Sequence, residues 1–263
     1  MKLLYFTATG NNLHVAKELG GELLSIPQMI KEGRYEFTDD KIGMIFPIYS
    51  NQVIPYIKEF VEKAKFNCDY LFGIMTYGAY DAASANHLVE IGKSVGHDFA
   101  YVNTLKMVDN WLPGFDMDKQ VASEHKKKIP EKLASIKADI EASKRYVKPS
   151  SLLGRTMTNY QVKQTSNPKV KPSMHSLAHA EGVRDFVTVE SNCTKCGTCA
   201  RVCPVDNITV DKENGVSYGD YCVMCFACLH NCPHNAIRLK GERSKARYRN
   251  RHVSLKEIIQ ANK

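Results

Sequence analysis

Long apolar runs are missing from this 263-residue sequence. No stretch approaches the roughly 18 apolar residues that would cross a bilayer. The opening Met1-Lys2-Leu3-Leu4-Tyr5-Phe6 turns polar at Thr7, too soon for a secretory apolar core. The expectation is a cytoplasmic protein without a membrane span. G-x-G-x-x-G and the Walker lysine loop are also absent, which disfavours a dinucleotide fold and triphosphate chemistry. Acid is missing from residues 144–180, which carry seven Lys or Arg, and residues 241–263 carry seven more against two acids. The formal net charge of +8 therefore belongs to a linker and a tail. No recognition module accompanies it, so nucleic acid is not the expected partner. Tryptophan occurs once, at Trp111, and cysteine is scarce for most of the chain: Cys68 stands alone before Cys193.

The other eight of the nine cysteines lie between Cys193 and Cys232. Dense cysteines form disulfide scaffolds in small secreted chains. A long cysteine-poor first part and no export signal favour metal ligation instead. The first run is Cys193-x2-Cys196-x2-Cys199-x3-Cys203-Pro204, and the second is Cys222-x2-Cys225-x2-Cys228-x3-Cys232-Pro233. Every position recurs 29 residues later, as does Ile208 at Ile237. Three thiolates two residues apart wrap one cluster, and the fourth, before proline, serves the other. This assigns Cys193, Cys196, Cys199 and Cys232 to one [4Fe–4S] cluster, and Cys222, Cys225, Cys228 and Cys203 to a second. Two zinc ions are the alternative, but zinc sites use paired cysteines across a longer loop. Residues 183–240 resemble a bacterial two-[4Fe–4S] ferredoxin, a small α+β domain.

Residues 1–110 alternate apolar runs with helical spacings. Strands are expected at Lys2–Phe6, Glu22–Ile26, Lys41–Tyr49, Tyr70–Thr76 and Phe99–Met107, with helices through Leu13–Leu19, Ile54–Val61 and residues 81–95. This pattern predicts a doubly wound parallel α/β sheet with crossover helices. A charged helical stretch follows at 118–145, kinked or split at Pro130. The first strand runs into Thr7-Ala8-Thr9-Gly10-Asn11-Asn12 and then a helix, a geometry that offers backbone N–H groups and hydroxyls to a phosphate. The loop resembles the T-x-T-G-N-T phosphate loop of flavodoxins, with Asn12 where Thr is commoner. The resemblance implies a sheet of order 2-1-3-4-5 with FMN at the carboxyl ends of the strands. Its site residues would be Thr7, Thr9, Gly10, Asn11 and Asn12, then Pro47, Ile48, Tyr49, Ser50 and Asn51, then Thr76, Tyr77, Gly78, Ala79 and Tyr80, and finally Asn110 and Trp111. Tyr49, Tyr77, Tyr80 and Trp111 are the candidate flat partners for the flavin ring.

The order of parts resembles the fused flavodoxin–ferredoxin proteins of anaerobic bacteria and archaea, the EFR-type ferredoxins. The expected organisation is a flavodoxin-like FMN-binding domain at 1–145, a basic linker at 146–182, the ferredoxin domain at 183–240 and a basic tail at 241–263. The resemblance implies an electron carrier between FMN, two [4Fe–4S] clusters and external redox partner proteins, with no catalytic residue required. The second reading is an FMN-dependent reductase of a small substrate, with Tyr77, Tyr80 or Asp81 as proton donor. A third is a redox sensor, which the lack of a DNA-binding module disfavours. Cys68 reads as a free thiol, His175 and His179 as surface histidines, and His230 and His234 either as hydrogen-bond donors near a cluster or as exposed.

Overall fold

The computed structural model describes residues 1–167, 169 and 185–263. His175 and His179 lie outside the described residues. The first part runs β1 (Lys2–Tyr5), α1 (Asn11–Leu19), β2 (Glu22–Ser25), α2 (Ile26–Lys31), β3 (Glu36–Thr38), β4 (Lys41–Tyr49), β5 (Gln52–Val53), α3 (Pro55–Lys63), β6 (Lys65–Asn67), β7 (Tyr70–Tyr77), α4 (Ser84–Ser94) and β8 (Phe99–Lys106). Strands β2-β1-β4-β7-β8 form one sheet in that order, and every neighbouring pair is parallel. Counting only these five, the order is 2-1-3-4-5, the flavodoxin-like arrangement. Helices on both faces explain the strand composition: β4 and β7 are apolar and buried almost throughout. β3 and β6 pair apart from the sheet, and β5 folds back on β4.

Next come α5 (Met117–Ala122), a 3-10 turn (Glu124–Lys127), α6 (Ile129–Glu141), β9 (Tyr146–Val147) and α7 (Leu152–Ser166). Pro130 splits the charged stretch, standing in the first turn of α6 where its missing N–H costs nothing. Two elements occupy the segment expected as a linker. β9 adds a parallel edge strand to β8, and α7 runs for 15 residues. Periodicity could not reveal α7, because its buried residues are Gly154 and Thr158 while Leu152 and Leu153 are exposed. Its seat is polar. The Thr158 hydroxyl donates to the Asn51 carbonyl at 2.7 Å and accepts from the Ala83 N–H at 3.1 Å.

The cysteine-rich part holds β10 (Val187–Val189), α8 (Thr198–Arg201), β11 (Ile208–Asp211), β12 (Gly215–Tyr218), α9 (Ala227–His230) and β13 (Ile237–Leu239). β10 pairs with β13 and β11 with β12, both antiparallel. The sequence repeat extends to the backbone: α8 and α9 are 29 residues apart. So are the residues of positive φ: Lys195 and Met224, Gly197 and Phe226, Asp206 and Asn235.

The last segment is no free tail. Tyr248, Asn250, Val253 and Ile258 are buried, and α10 (Leu255–Ala261) starts in a Ser254–Glu257 capping box. Val253, Ile258 and Ala261 join the apolar core of the first domain, and Asn262 donates to the Thr7 carbonyl at 3.3 Å. Its arginines are partly consumed within the chain, Arg247 pairing with Glu242 at 2.9 Å. Among the described residues no helix is long and apolar enough to cross a membrane.

Candidate functional site

A cavity of about 370 Å³ opens at the carboxyl ends of β1, β4, β7 and β8. Drug- and cofactor-sized ligands occupy cavities of roughly 300–1,000 Å³. All the loop residues named from the sequence line it except Gly10. Gly10 sits one layer behind, at φ 95°, where a Cβ would stand 2.9 Å from the Cβ of Val253. The glycine therefore supplies both the left-handed turn and the room for the C-terminal segment.

The loop after β1 is held from several sides. The Thr7 hydroxyl oxygen accepts from the Gly10 N–H at 3.1 Å, and that of Thr9 accepts from the Asn110 amide at 3.1 Å. The Asn12 side chain accepts from the Thr76 hydroxyl at 2.8 Å, so the Asn that departs from the flavodoxin pattern ties this loop to the end of β7. Asn11 donates to the Val108 carbonyl and accepts from Tyr248 and Asn250 of the C-terminal segment, and the Asn250 N–H donates to the Thr9 carbonyl. Both threonine oxygens are thus engaged as acceptors, which leaves the hydroxyl hydrogens for an anion at the N-terminus of α1.

Ser50 and Asn51 both have positive φ and join β4 to β5 in a two-residue hairpin. Gly78 approaches Asp109 so closely that a Cβ would meet its carboxylate at 2.0 Å. Burial raises the Asp109 pKa, opposed by the Trp111 N–H donating at 2.9 Å. Tyr49 is held well above its ordinary pKa by burial and by nearby Cys225, Asp109 and Cys222, so it stays a neutral phenol. Tyr77 and Trp111 line the same cavity, whereas Tyr80 lines it at the rim with its side chain 41% exposed. Asp81, one candidate proton donor, is not in the lining. It is bound by Lys148 and by the Thr104 hydroxyl at 2.6 Å.

Several lining residues were not named from the sequence. Ala8, Met107, Val108 and Asp109 adjoin named ones, Phe115 lies beyond the β8 loop, and Met157 and Gln161 come from α7. Met224 and Phe226 come from the second cysteine run. A signal existed for these last two, because the repeat breaks there: the first run has Lys195 and Gly197 at the matching places.

The cysteines fall into two sets. Cys193, Cys196, Cys199 and Cys232 line one small cavity, and Cys203, Cys222, Cys225 and Cys228 line another. Each run contributes one cysteine to the set dominated by the other. Matching N–H groups point at sulfur in both halves, Asn207 to Cys203 and Ala236 to Cys232, each at 3.3 Å. Burial pushes the Cys199 and Cys222 thiols up to about 11 and those of Cys225 and Cys228 higher still. Thiolates at such depth would need a bound cation beside them. Cys68 is a free, half-buried thiol, its pKa raised by burial.

The two parts are joined through polar contacts beside the cavity. His230 is buried and neutral, its Nδ1 accepting from the Tyr248 N–H at 3.1 Å and its Nε2 bonding the Asn110 carbonyl at 2.8 Å. Asn231 donates to the Ala8 carbonyl at 3.0 Å. Val108, Leu112 and Met117 pack into the same apolar cluster as Cys199, Cys203 and Leu229, so the loop after β8 enters the cysteine-rich core.

His87 supports the hairpin at the cavity edge, its Nδ1 accepting from the Val53 N–H at 3.2 Å. Burial lowers its pKa to about 4 from 6.5. The folded state binds this proton less readily than the unfolded state, so stability is full above pH 6.5 and falls as pH drops toward 4. The loss is on the order of 3 kcal/mol. Chemical denaturation followed at pH 7 and pH 4.5 should show this dependence reduced in His87→Gln, and an unchanged slope in the variant would assign it elsewhere.

The family model for a 4Fe-4S dicluster domain matches residues 186–233. An uncharacterized ferredoxin of Methanocaldococcus jannaschii is 33% identical over 72 residues, 26% of this chain and 94% of that protein. Pyruvate synthase subunit PorD of Methanothermobacter marburgensis is 35% identical over 54 residues, 20% of this chain and 63% of that subunit. Among solved structures, rubredoxin oxygen:oxidoreductase of Desulfovibrio gigas matches at a TM-score of 0.31 and 12% identity, over 51% of this chain and 36% of that one. A protein described as a flavoprotein from Bacteroides eggerthii matches at 0.31 and 18%, over 46% and 92%. Likenesses this slight carry no argument, and the sheet order stands on its own strand pairings. The cysteine repeat and the ferredoxin relative together place the chain in the ferredoxin family, as an iron–sulfur electron-transfer protein whose ferredoxin domain is fused to a flavodoxin-like domain.

Proposed function

We propose that the cavity at the sheet edge holds FMN, that each set of four cysteines holds a [4Fe–4S] cluster, and that the protein passes electrons between the flavin, the clusters and external redox proteins. One observation carries this reading: the wall of the flavin-sized cavity is completed by Met224 and Phe226, from the run that supplies three of the second set of thiols. A carrier that joins the two cofactors needs this juxtaposition, whereas two independently working domains do not.

The residues fit the group. The hydroxyls of Thr7 and Thr9 and the N-terminus of α1 are placed to bind its phosphate. Tyr49, Tyr77, Trp111 and Phe226 offer flat or edge contacts to its ring. Met157 and Gln161 of α7 also line the cavity. FMN would supply the conversion between two-electron and one-electron chemistry, and the protein's part is to hold the centres close and tune them by burial and hydrogen bonds.

Anaerobically purified protein is expected to carry about eight irons and eight acid-labile sulfides, as two cubane clusters require, with one FMN. Two tightly bound zinc ions without sulfide would overturn the cluster reading, and a flavin-free protein that fails to take up FMN would overturn the flavin reading.

A further inference from the structure

The duplicated module presents its two runs to different surroundings. Cys196 is exposed, while Cys225, 29 residues on, is buried and packs into the apolar core of the flavodoxin-like domain. The left-handed positions diverge in the same sense. The first run places Lys195 and Gly197 there, and the second places Met224 at φ 51° and Phe226 at φ 58°. A bulky side chain in this region is strained by an amount that glycine avoids. Both runs carry a side chain at the first of these positions, Lys195 and Met224, but at the second the first run has glycine and the second run keeps the strain with Phe226. Phe226 is also the residue shared by the flavin-sized cavity and the cavity of Cys203, Cys222, Cys225 and Cys228. Among the described residues, the cavity of Cys193, Cys196, Cys199 and Cys232 shares none with the flavin-sized one.

We propose that Phe226 is the partition between the flavin and the second cluster, a positioning residue that makes the Cys203/Cys222/Cys225/Cys228 set the flavin-side cluster and leaves the Cys193/Cys196/Cys199/Cys232 set to face an external one-electron redox protein. The inference rests on the cavity being a flavin site. Each transfer moves one electron between neighbouring centres, the donor losing one unit of negative charge and the acceptor gaining it, and makes or breaks no bond at the clusters. The flavin and the external redox protein are the co-reactants. Tyr49 lines the same cavity from β4.

The test uses protein holding both clusters and stripped of flavin, kept fully reduced by excess dithionite and titrated with fully reduced FMN, so that binding moves no electron while the two cluster EPR signals are followed. Cys203→Ala and Cys196→Ala identify which signal belongs to which cluster. Binding of FMN is expected to alter the signal lost in Cys203→Ala and to leave that lost in Cys196→Ala unchanged. Phe226→Gly copies the first run at this position. It should raise the FMN dissociation constant roughly two- to ten-fold, the worth of one aromatic contact, and abolish the FMN-induced change. Phe226→Tyr should restore both, and it keeps the test open should the glycine variant fold poorly. FMN that binds but alters the Cys196 cluster, or both equally, or neither, overturns the inference. FMN that does not bind at all overturns the flavin reading instead.

Discussion

Cys203→Ala protein is expected to keep the first cluster intact and to lose the second or hold it as a three-iron remnant. Cys203 belongs to the first run by sequence, but it lines the cavity of Cys222, Cys225 and Cys228. Its loss removes one of four ligands there, while Cys193, Cys196, Cys199 and Cys232 remain complete. Cys199→Ala should do the reverse. The structural cost also differs, because the second set lies against the flavodoxin-like core through Cys225 and Ala227. Losing the second cluster should therefore weaken FMN binding more than losing the first. Low-temperature EPR and Mössbauer spectra of the two variants decide the matter. If both substitutions damaged the same cluster, each run would ligate its own, and the pairing of the two cavities would be wrong.

Thr9→Val should lower FMN affinity about ten-fold or more, since a hydrogen bond to a charged acceptor is worth roughly 1.5–3 kcal/mol. The substitution removes the hydroxyl hydrogen left available for an anion at the N-terminus of α1. It also removes the acceptor for Asn110, whose carbonyl in turn holds His230. Riboflavin lacks the phosphate, so its binding should change little. Titrations of both flavins against wild type and variant separate the two roles. Equal losses would show that Thr9 acts by supporting the Asn110 loop and not by binding phosphate.

Much of the site was legible because its chemistry is local. The loop Thr7–Asn12 needs a strand before it, a helix after it and a glycine at the turn, and all three are written in consecutive residues. Strand ends expected at Tyr49, Thr76 and Met107, where buried apolar runs give way to polar loops, fall at Tyr49, Tyr77 and Lys106. The cysteine sets were legible for another reason: an internal repeat of fixed offset states its own pairing rule. By contrast, α7 carries no apolar stripe and is seated by Thr158, so no periodic signal announced it. Its contribution of Met157 and Gln161 to the cavity was hidden with it. The basic segment after residue 240 misled through its charge. Its arginines dominate the composition, but its seat depends on Tyr248, Asn250, Val253 and Ile258, spread among them.

The sequence by itself determined the parallel sheet, the strand–loop–helix at Thr7–Asn12 and the duplicated cysteine module, since each depends on residues close along the chain or on a repeat within it. Only the tertiary structure decided which copy of the repeat faces the cavity at the strand ends. The two runs have the same cysteine spacing, and nothing in that spacing distinguishes inside from outside. The choice is made by contacts between distant residues: Asn231 with Ala8, His230 with Asn110, and Cys225 against the flavodoxin-like core. Those contacts bury Met224 and Phe226 where the other copy exposes Lys195, and burial of one apolar face against another is a property of the folded chain as a whole.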